Sequence, residues 1–154
     1  MKPGTYTQMF VHIVIAVKCR EYLLTKDIRP EIFKYIAGIV KQRKHKLYIV
    51  NGYLDHVHIL LGLNSDDKIS DLVGSIKRNS ADYIKEKQLI KGKFQWQEGY
   101  GAFSYSKSQM EQVYNYISEQ EEHHRKKTFK EEYINMLKKY EISFEEKYLF
   151  EFYE

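Results

Sequence analysis

Two runs rich in branched and aromatic side chains, residues 47–53 and 56–63, are separated by little more than Leu54 and Asp55. A connection that short joins antiparallel neighbours, because a parallel crossover needs a dozen residues or more. The two runs therefore predict a β-hairpin, and the other elements arrange around it. Residues 6–18 are rich in Val, Ile and Phe and predict a strand. Thr25 or Asp27 can cap a helix to about His45, with Pro30 in its first turn and Ile32, Phe33, Ile36, Ile39 and Val40 at helical spacing. Asp66 or Asp67 opens a second helix, with Ile69, Leu72, Val73, Ile76 and Ile84 on one face, that ends before Lys91-Gly92. Residues 94–105 are aromatic and punctuated by glycine, which predicts short strands and loop. Ser106 or Ser108 caps a helix to about Lys127; Ser108 has Glu111 three residues on, and Thr128 with Glu131 restarts a helix to about Tyr140 by the same capping-box pattern. The order is βαββαβα with a helical tail. It predicts an α+β, ferredoxin-like (RRM-like) fold: an antiparallel sheet with helices packed on one face, plus a C-terminal helical tail.

The 154 residues fit a single domain, residues 1–154. With 43% hydrophobic and 30% charged residues the chain has the makeup of a folded globular protein. Its one cysteine, Cys19, excludes an internal disulfide and a cysteine-based zinc site. No apolar run is long enough for a bilayer and no signal-peptide pattern opens the chain, so a cytoplasmic protein without membrane contact is expected. Charge is uneven. Residues 128–154 hold four Lys and seven Glu, net −3, whereas residues 1–127 carry 21 basic and 14 acidic groups, net +7. A basic body attracts polyanions, although a solvated lysine surface has the same composition. Fourteen Tyr and eight Phe suit either packing or stacking on unpaired bases.

His56 and His58 flank Val57 at the start of the second hairpin strand. Alternate strand residues share a face, so the imidazoles stand roughly 6.6 Å apart at their Cα atoms, close enough to converge on one ion. Asp55 can orient an imidazole or simply serve the turn; the turn is the simpler expectation. Tyr116 and Gln120 are four residues apart and share a helix face. A tyrosine can be a covalent nucleophile, and a glutamine oxygen can join two imidazoles as a third ligand. Two nitrogen donors, one oxygen donor and open positions suit Mg²⁺ or, since imidazole is involved, Mn²⁺. His123 and His124, followed by Arg125, Lys126 and Lys127, read most simply as a solvated helix end.

Taken together, five segments resemble the small single-tyrosine HUH transposases, the insertion-sequence and repeat-associated enzymes that act on single-stranded DNA. They are His12-Ile13-Val14 through Lys18 and Arg20; Asp55-His56-Val57-His58-Ile59-Leu60-Leu61; Ser75-Ile76-Lys77-Arg78-Asn79-Ser80; residues 94–104 (FQWQEGYGAFS); and residues 116–124 (YISEQEEHH). The likeness covers about residues 5–135. It implies that His56, His58 and Gln120 are metal ligands and that Tyr116 is the nucleophile, preferred over Tyr105 and Tyr114 because the YIxxQ pattern falls there. It also implies homodimers, joined through an edge strand, in which the tyrosine helix can complete the partner's site in trans, and hairpin-bearing element ends as substrate.

On this resemblance the expected chemistry is metal-assisted transesterification. A DNA strand lies across the sheet face that holds His56 and His58, and Tyr116 attacks a polarised phosphate to give a 5′-phosphotyrosine. The link conserves bond energy, which agrees with the absence of a P-loop motif. Lys18, Arg20, Lys77 and Arg78 are the expected DNA contacts. The acidic, aromatic tail from Phe144 to Glu154 has no place in this scheme. The alternatives are a non-catalytic single-stranded nucleic-acid binder of RRM-like fold, although no good RNP stretch is present, and a domesticated transposase-like nickase.

Overall fold

A computed structural model describes residues 2–18, 22–124, 126–145 and 149. Four strands form one antiparallel sheet: β1 (Phe10–Ala16), β2 (Lys46–Gly52), β3 (His56–Gly62) and β4 (Gly101–Tyr105), in the order β2-β3-β1-β4. Two helices, α1 (Arg29–Gln42) and α2 (Ile69–Glu86), connect β1 to β2 and β3 to β4. This is the split βαβ arrangement that the order of elements predicts. The hairpin is as expected: Tyr53 N–H donates to His56 O across Leu54 and Asp55.

Every residue of β1 is buried, and β3 is buried from His56 to Leu61, so both faces of the sheet are covered. Val11, Ile13, Ile15, Val57, Ile59 and Leu61 point to one face and form the main core with Ile32 and Ile36 of α1 and Leu72 and Ile76 of α2. Each such side chain, fully buried, contributes about 1.5–3 kcal/mol. The alternate residues His12, Val14, Ala16, His56 and His58 point to the other face. There Val14, Ala16 and Phe103 pack against Phe129, Tyr133 and Leu137 of a C-terminal helix, α5 (Phe129–Lys139). The tail thus roofs the second face of the sheet, which the sequence left open for DNA. Gly101 admits this roof: a Cβ there would lie 2.7 Å from Tyr133 Oη.

The helix expected up to Lys127 is broken at Glu119 into α3 (Met110–Ser118) and α4 (Gln120–His123). It is entered by a 3-10 turn, Lys107–Gln109, whose capping box uses Ser106 and Gln109 rather than Ser108 and Glu111. Thr128 caps α5 as expected, accepting from Glu131 N–H at 3.2 Å. The two earlier caps differ. Ile28 and Lys68 hold the N-cap positions of α1 and α2 without side-chain cap bonds. Asp67 instead takes two bonds from Arg43, at 2.6 and 2.8 Å, and one from His45 at 2.7 Å. That cluster ties the end of α1 to the start of α2.

Residues 94–100 run beside the end of β1. Gln97 N–H donates to Ala16 O, Lys18 N–H donates to Gln95 O, and Val17 and Trp96 form an isolated bridge. Trp96 Nε1 donates to Ser80 Oγ on α2 at 2.8 Å.

Candidate functional site

The hairpin register sets Val14 and Asn51 on either side of His58, and Ala16 beside His56. Both histidines are fully buried on the face roofed by α3, α4 and α5. Asp55 fixes the first ring: His56 Nδ1–H donates to Asp55 Oδ1 at 2.8 Å, and Asp55 is itself buried. Asp55 is therefore more than a turn residue; it turns His56 Nε2 toward the helices. There Nε2 meets Gln120 Oε1 at 2.9 Å and Glu132 Oε1 at 3.4 Å. With acceptors at both nitrogens the ring carries two protons. Burial alone would lower its pKa, but the bonds to Asp55 and Glu132, reinforced by their charges, raise it to about 9.

His58 is oriented by a residue that sequence reasoning did not single out. His12 Nε2 lies 2.7 Å from His58 Nδ1, and His12 Nδ1 lies 3.1 Å from Tyr105 Oη. Burial lowers the pKa of both His12 and His58. His58 Nε2 then faces Glu132 Oε1 at 3.0 Å.

Glu132 is where the site converges. Its second oxygen accepts from the Tyr116 hydroxyl in a short hydrogen bond and from Gln120 Nε2 at 3.3 Å, and it lies 3.3 Å from His124 Nε2. Burial opposes the charge, but His58, His124 and His56 hold the carboxyl well below the usual carboxylate range. The Tyr116 phenol moves the other way. Burial and the adjacent Glu132 carboxylate raise its pKa, so the phenol keeps its proton in this arrangement.

The expected residues meet within one chain: His56, His58, Tyr116 and Gln120 all touch the same carboxylate. Asn51 explains how α3 and α4 are held for this. Its Nδ2 donates to Ile117 O and Ser118 O, at 2.8 and 3.2 Å, and so satisfies carbonyls at the end of α3. His124 corrects the solvated-end reading: its side chain is buried, reaches Gln120 Oε1 at 3.2 Å and stacks on Tyr53. His123 packs on Tyr116 with ring centroids 4.6 Å apart. Beside Tyr116 a cleft of about 380 Å³ opens to solvent, with Lys126, Lys127 and Gln112 in its walls.

The expected DNA contacts do not gather here. Lys77 and Arg78 lie on α2, which packs against the opposite face of the sheet. Lys77 Nζ donates to Gln97 O and Gly99 O at 2.7 and 2.6 Å, so its charge is engaged in bracing that loop. Arg78 is exposed, and Lys18 is exposed just beyond the end of β1 that pairs with His56. Arg20 lies outside the described residues.

His56, His58 and Glu132 offer ligand atoms that all lie within 4.8 Å of one another. With the Gln120 oxygen beside His56, the donor set is two imidazole nitrogens and hard oxygens, which suits a divalent cation such as Mn²⁺ or Mg²⁺. Among the described residues no helix is long and apolar enough to cross a membrane.

A family model described as "Transposase IS200 like" matches residues 5–120. The ISDra2 transposase TnpA of Deinococcus radiodurans is 25% identical over 122 residues, spanning 76% of this chain and 87% of that protein. Among solved structures, a crystal structure of a candidate transposase from Deinococcus radiodurans superposes with a TM-score of 0.59 at 24% identity, covering 78% of this chain and 96% of that one. A REP-associated tyrosine transposase bound to a REP hairpin has the same TM-score at 16% identity, covering 80% of this chain and 74% of that one.

Proposed function

The chain belongs to the IS200-like transposase family, and from that premise we propose that it cleaves and rejoins single-stranded DNA through a covalent link to Tyr116. His56, His58 and Gln120 are assigned to a divalent cation, Mg²⁺ or Mn²⁺. What carries the reading is the convergence of the Tyr116 hydroxyl, both imidazoles and the Gln120 amide on one buried point of a single chain.

When bound, such a cation supplies charge stabilisation at a phosphate oxygen and at the departing 3′ oxygen. The protein's own groups do the rest. Asp55 and His12 set the imidazole orientations, so that the Nε2 atoms face the helices. Asn51 holds the end of α3 and with it the direction of Tyr116. Lys126 and Lys127 pair with backbone phosphates at the mouth of the cleft. The phenol oxygen attacks phosphorus in line and gives up its proton. The bond to the 3′ oxygen breaks, that oxygen takes up a proton, and the DNA is left as a 5′-phosphotyrosine. Attack by another 3′-hydroxyl reverses the step without ATP.

The substrate under this reading is hairpin-bearing single-stranded DNA at element ends. The domain acts as one unit, residues 1–154, with Tyr116 serving its own chain's imidazoles. The edge strands β2 and β4 are the surfaces through which a homodimer would pair. A purely binding, RRM-like role is less well supported, because it needs a free sheet face and α3, α4 and α5 cover that face.

The test is a gel assay with a 3′-labelled hairpin oligonucleotide taken from DNA flanking the coding sequence. In Mn²⁺ the protein should form an adduct stable to detergent, lost in Tyr116→Phe and in chelator. An adduct formed by Tyr116→Phe, or undiminished nicking by His56→Ala in chelator, contradicts the assignment.

A further inference from the structure

We propose that Glu132 is itself a ligand of the metal centre and that its second oxygen positions the Tyr116 phenol, so that cation binding and docking of α5 are one event. The inference rests on the metal reading above and adds to it a residue from outside the matched family stretch, which ends at residue 120.

The spacing of the ligand atoms supports it. Two donors at right angles on a six-coordinate ion, each about 2.1 Å from it, are about 3.0 Å apart. Glu132 Oε1 lies 3.0 Å from His58 Nε2 and 3.4 Å from His56 Nε2, and Gln120 Oε1 lies 2.9 Å from His56 Nε2. All three ligand atoms lie within 4.8 Å of one another, so one ion can take both imidazoles and Oε1 once the side chains close on it and His56 Nε2 gives up its proton. Charge points the same way. Two imidazoles and an amide oxygen are neutral donors, and a dication in a buried site needs an anion beside it. Glu132 is buried and is the only carboxylate grouped with the two imidazoles among the described residues. Its other oxygen takes the Tyr116 hydroxyl, so a single carboxylate spans the ion and the nucleophile.

The helix that delivers Glu132 is built onto the site. Phe129 stacks on His56 with ring centroids 3.9 Å apart and planes within 2°, and Tyr133 packs where Gly101 leaves room. A ligand on α5 turns this packing into a metal-dependent clamp.

Isothermal titration with Mn²⁺ and hydrogen exchange of the full-length protein test the idea without reference to activity. Glu132→Gln, which keeps size and hydrogen bonding, should bind Mn²⁺ at least tenfold more weakly than wild type, a loss of the order seen when groups around a metal are removed. Glu132→Asp, which keeps the charge but shortens the reach, should fall between. Mn²⁺ should slow amide exchange across Phe129–Lys139 in wild type and leave it unchanged in Glu132→Gln. Equal Mn²⁺ affinity in wild type and Glu132→Gln overturns the inference while leaving the imidazole site intact. So does faster exchange of α5 on adding Mn²⁺, which would make Glu132 a plug that the ion expels. If His56→Ala and His58→Ala also bind Mn²⁺ as wild type does, the metal reading itself fails and takes this inference with it.

Discussion

Asp55 and His12 show how much of the site depends on groups that act through the two buried imidazoles. Asp55 is held to His56 Nδ1 at 2.8 Å and His12 to His58 Nδ1 at 2.7 Å, so each fixes which nitrogen of its partner faces the helices. Asp55→Asn keeps the shape but removes the charge that favours an imidazole donor. It should weaken Mn²⁺ binding by about 10–100-fold, read by titration calorimetry, with little change in fold by circular dichroism. Unchanged affinity would show that Asp55 serves only the turn. That the two histidines share a strand face, and the tyrosine and the glutamine a helix face, was legible in the sequence because each pair is local: i and i+2 on a strand, i and i+4 on a helix. Glu132, His12 and Asn51 were not, because their partners lie 74, 46 and 66 residues away. A signal did exist for Glu132. It sits on the face of α5 that carries Phe129, Tyr133 and Leu137, and an acid on a buried face must be paired.

At the scale of elements, the order of strands and helices was readable from period and caps, whereas the placement of the last helices was not. Amphipathic periodicity shows that Phe129, Tyr133 and Leu137 bury together but not against which side of a sheet. Residues 116–124 read as one helix because nothing local marks the break at Glu119; its stabilising contact, Asn51, comes from β2. Removing that contact in Asn51→Ala leaves carbonyls at the end of α3 without their donor. The change should cost about 1–2 kcal/mol in chemical denaturation and lower the rate of adduct formation more than it lowers DNA binding. The junction of α1 and α2 gives a pH-dependent test. The bonds from Arg43, with a further one from His45, hold the Asp67 carboxyl well below the usual carboxylate range. A depressed carboxyl stabilises the fold above its unfolded value of about 3.9, and that contribution is lost as pH falls. Asp67→Asn should therefore be about 1–2 kcal/mol less stable than wild type at pH 7, a figure discounted for the partly exposed Arg43, and the gap should shrink steadily as pH falls below about 5. A gap that persists at low pH would mean that packing, not charge, explains the loss.

Across the whole molecule, the basic body and the acidic C-terminal segment divide the work. Helix α5, which opens the acidic segment, roofs the second sheet face and supplies Glu132, while Lys126 and Lys127 stand at the cleft where a phosphate backbone would enter; most of the tail Phe144 to Glu154 lies outside the described residues. Sequence alone set DNA across an open sheet. Under the proposed function the covered face moves the approach to the side, along the cleft beside Tyr116. Since Tyr116 reaches its own chain's site, mixing Tyr116→Phe with His58→Ala should not restore adduct formation; restoration would show that the tyrosine helix is exchanged between subunits.

The sequence offers Tyr105, Tyr114 and Tyr116 as candidates for the nucleophile, and the three sit in different surroundings. Tyr105 is tied to His12, and Tyr114 is exposed on another face of α3. Only Tyr116 meets the carboxylate that touches both imidazoles. The most direct test is peptide mapping by mass spectrometry of the covalent protein–DNA adduct formed in Mn²⁺. The nucleotide should be carried as a phosphate ester on the peptide containing Tyr116 and at that residue. A nucleotide on Tyr105 or Tyr114, or an adduct of equal yield from Tyr116→Phe, would contradict the account.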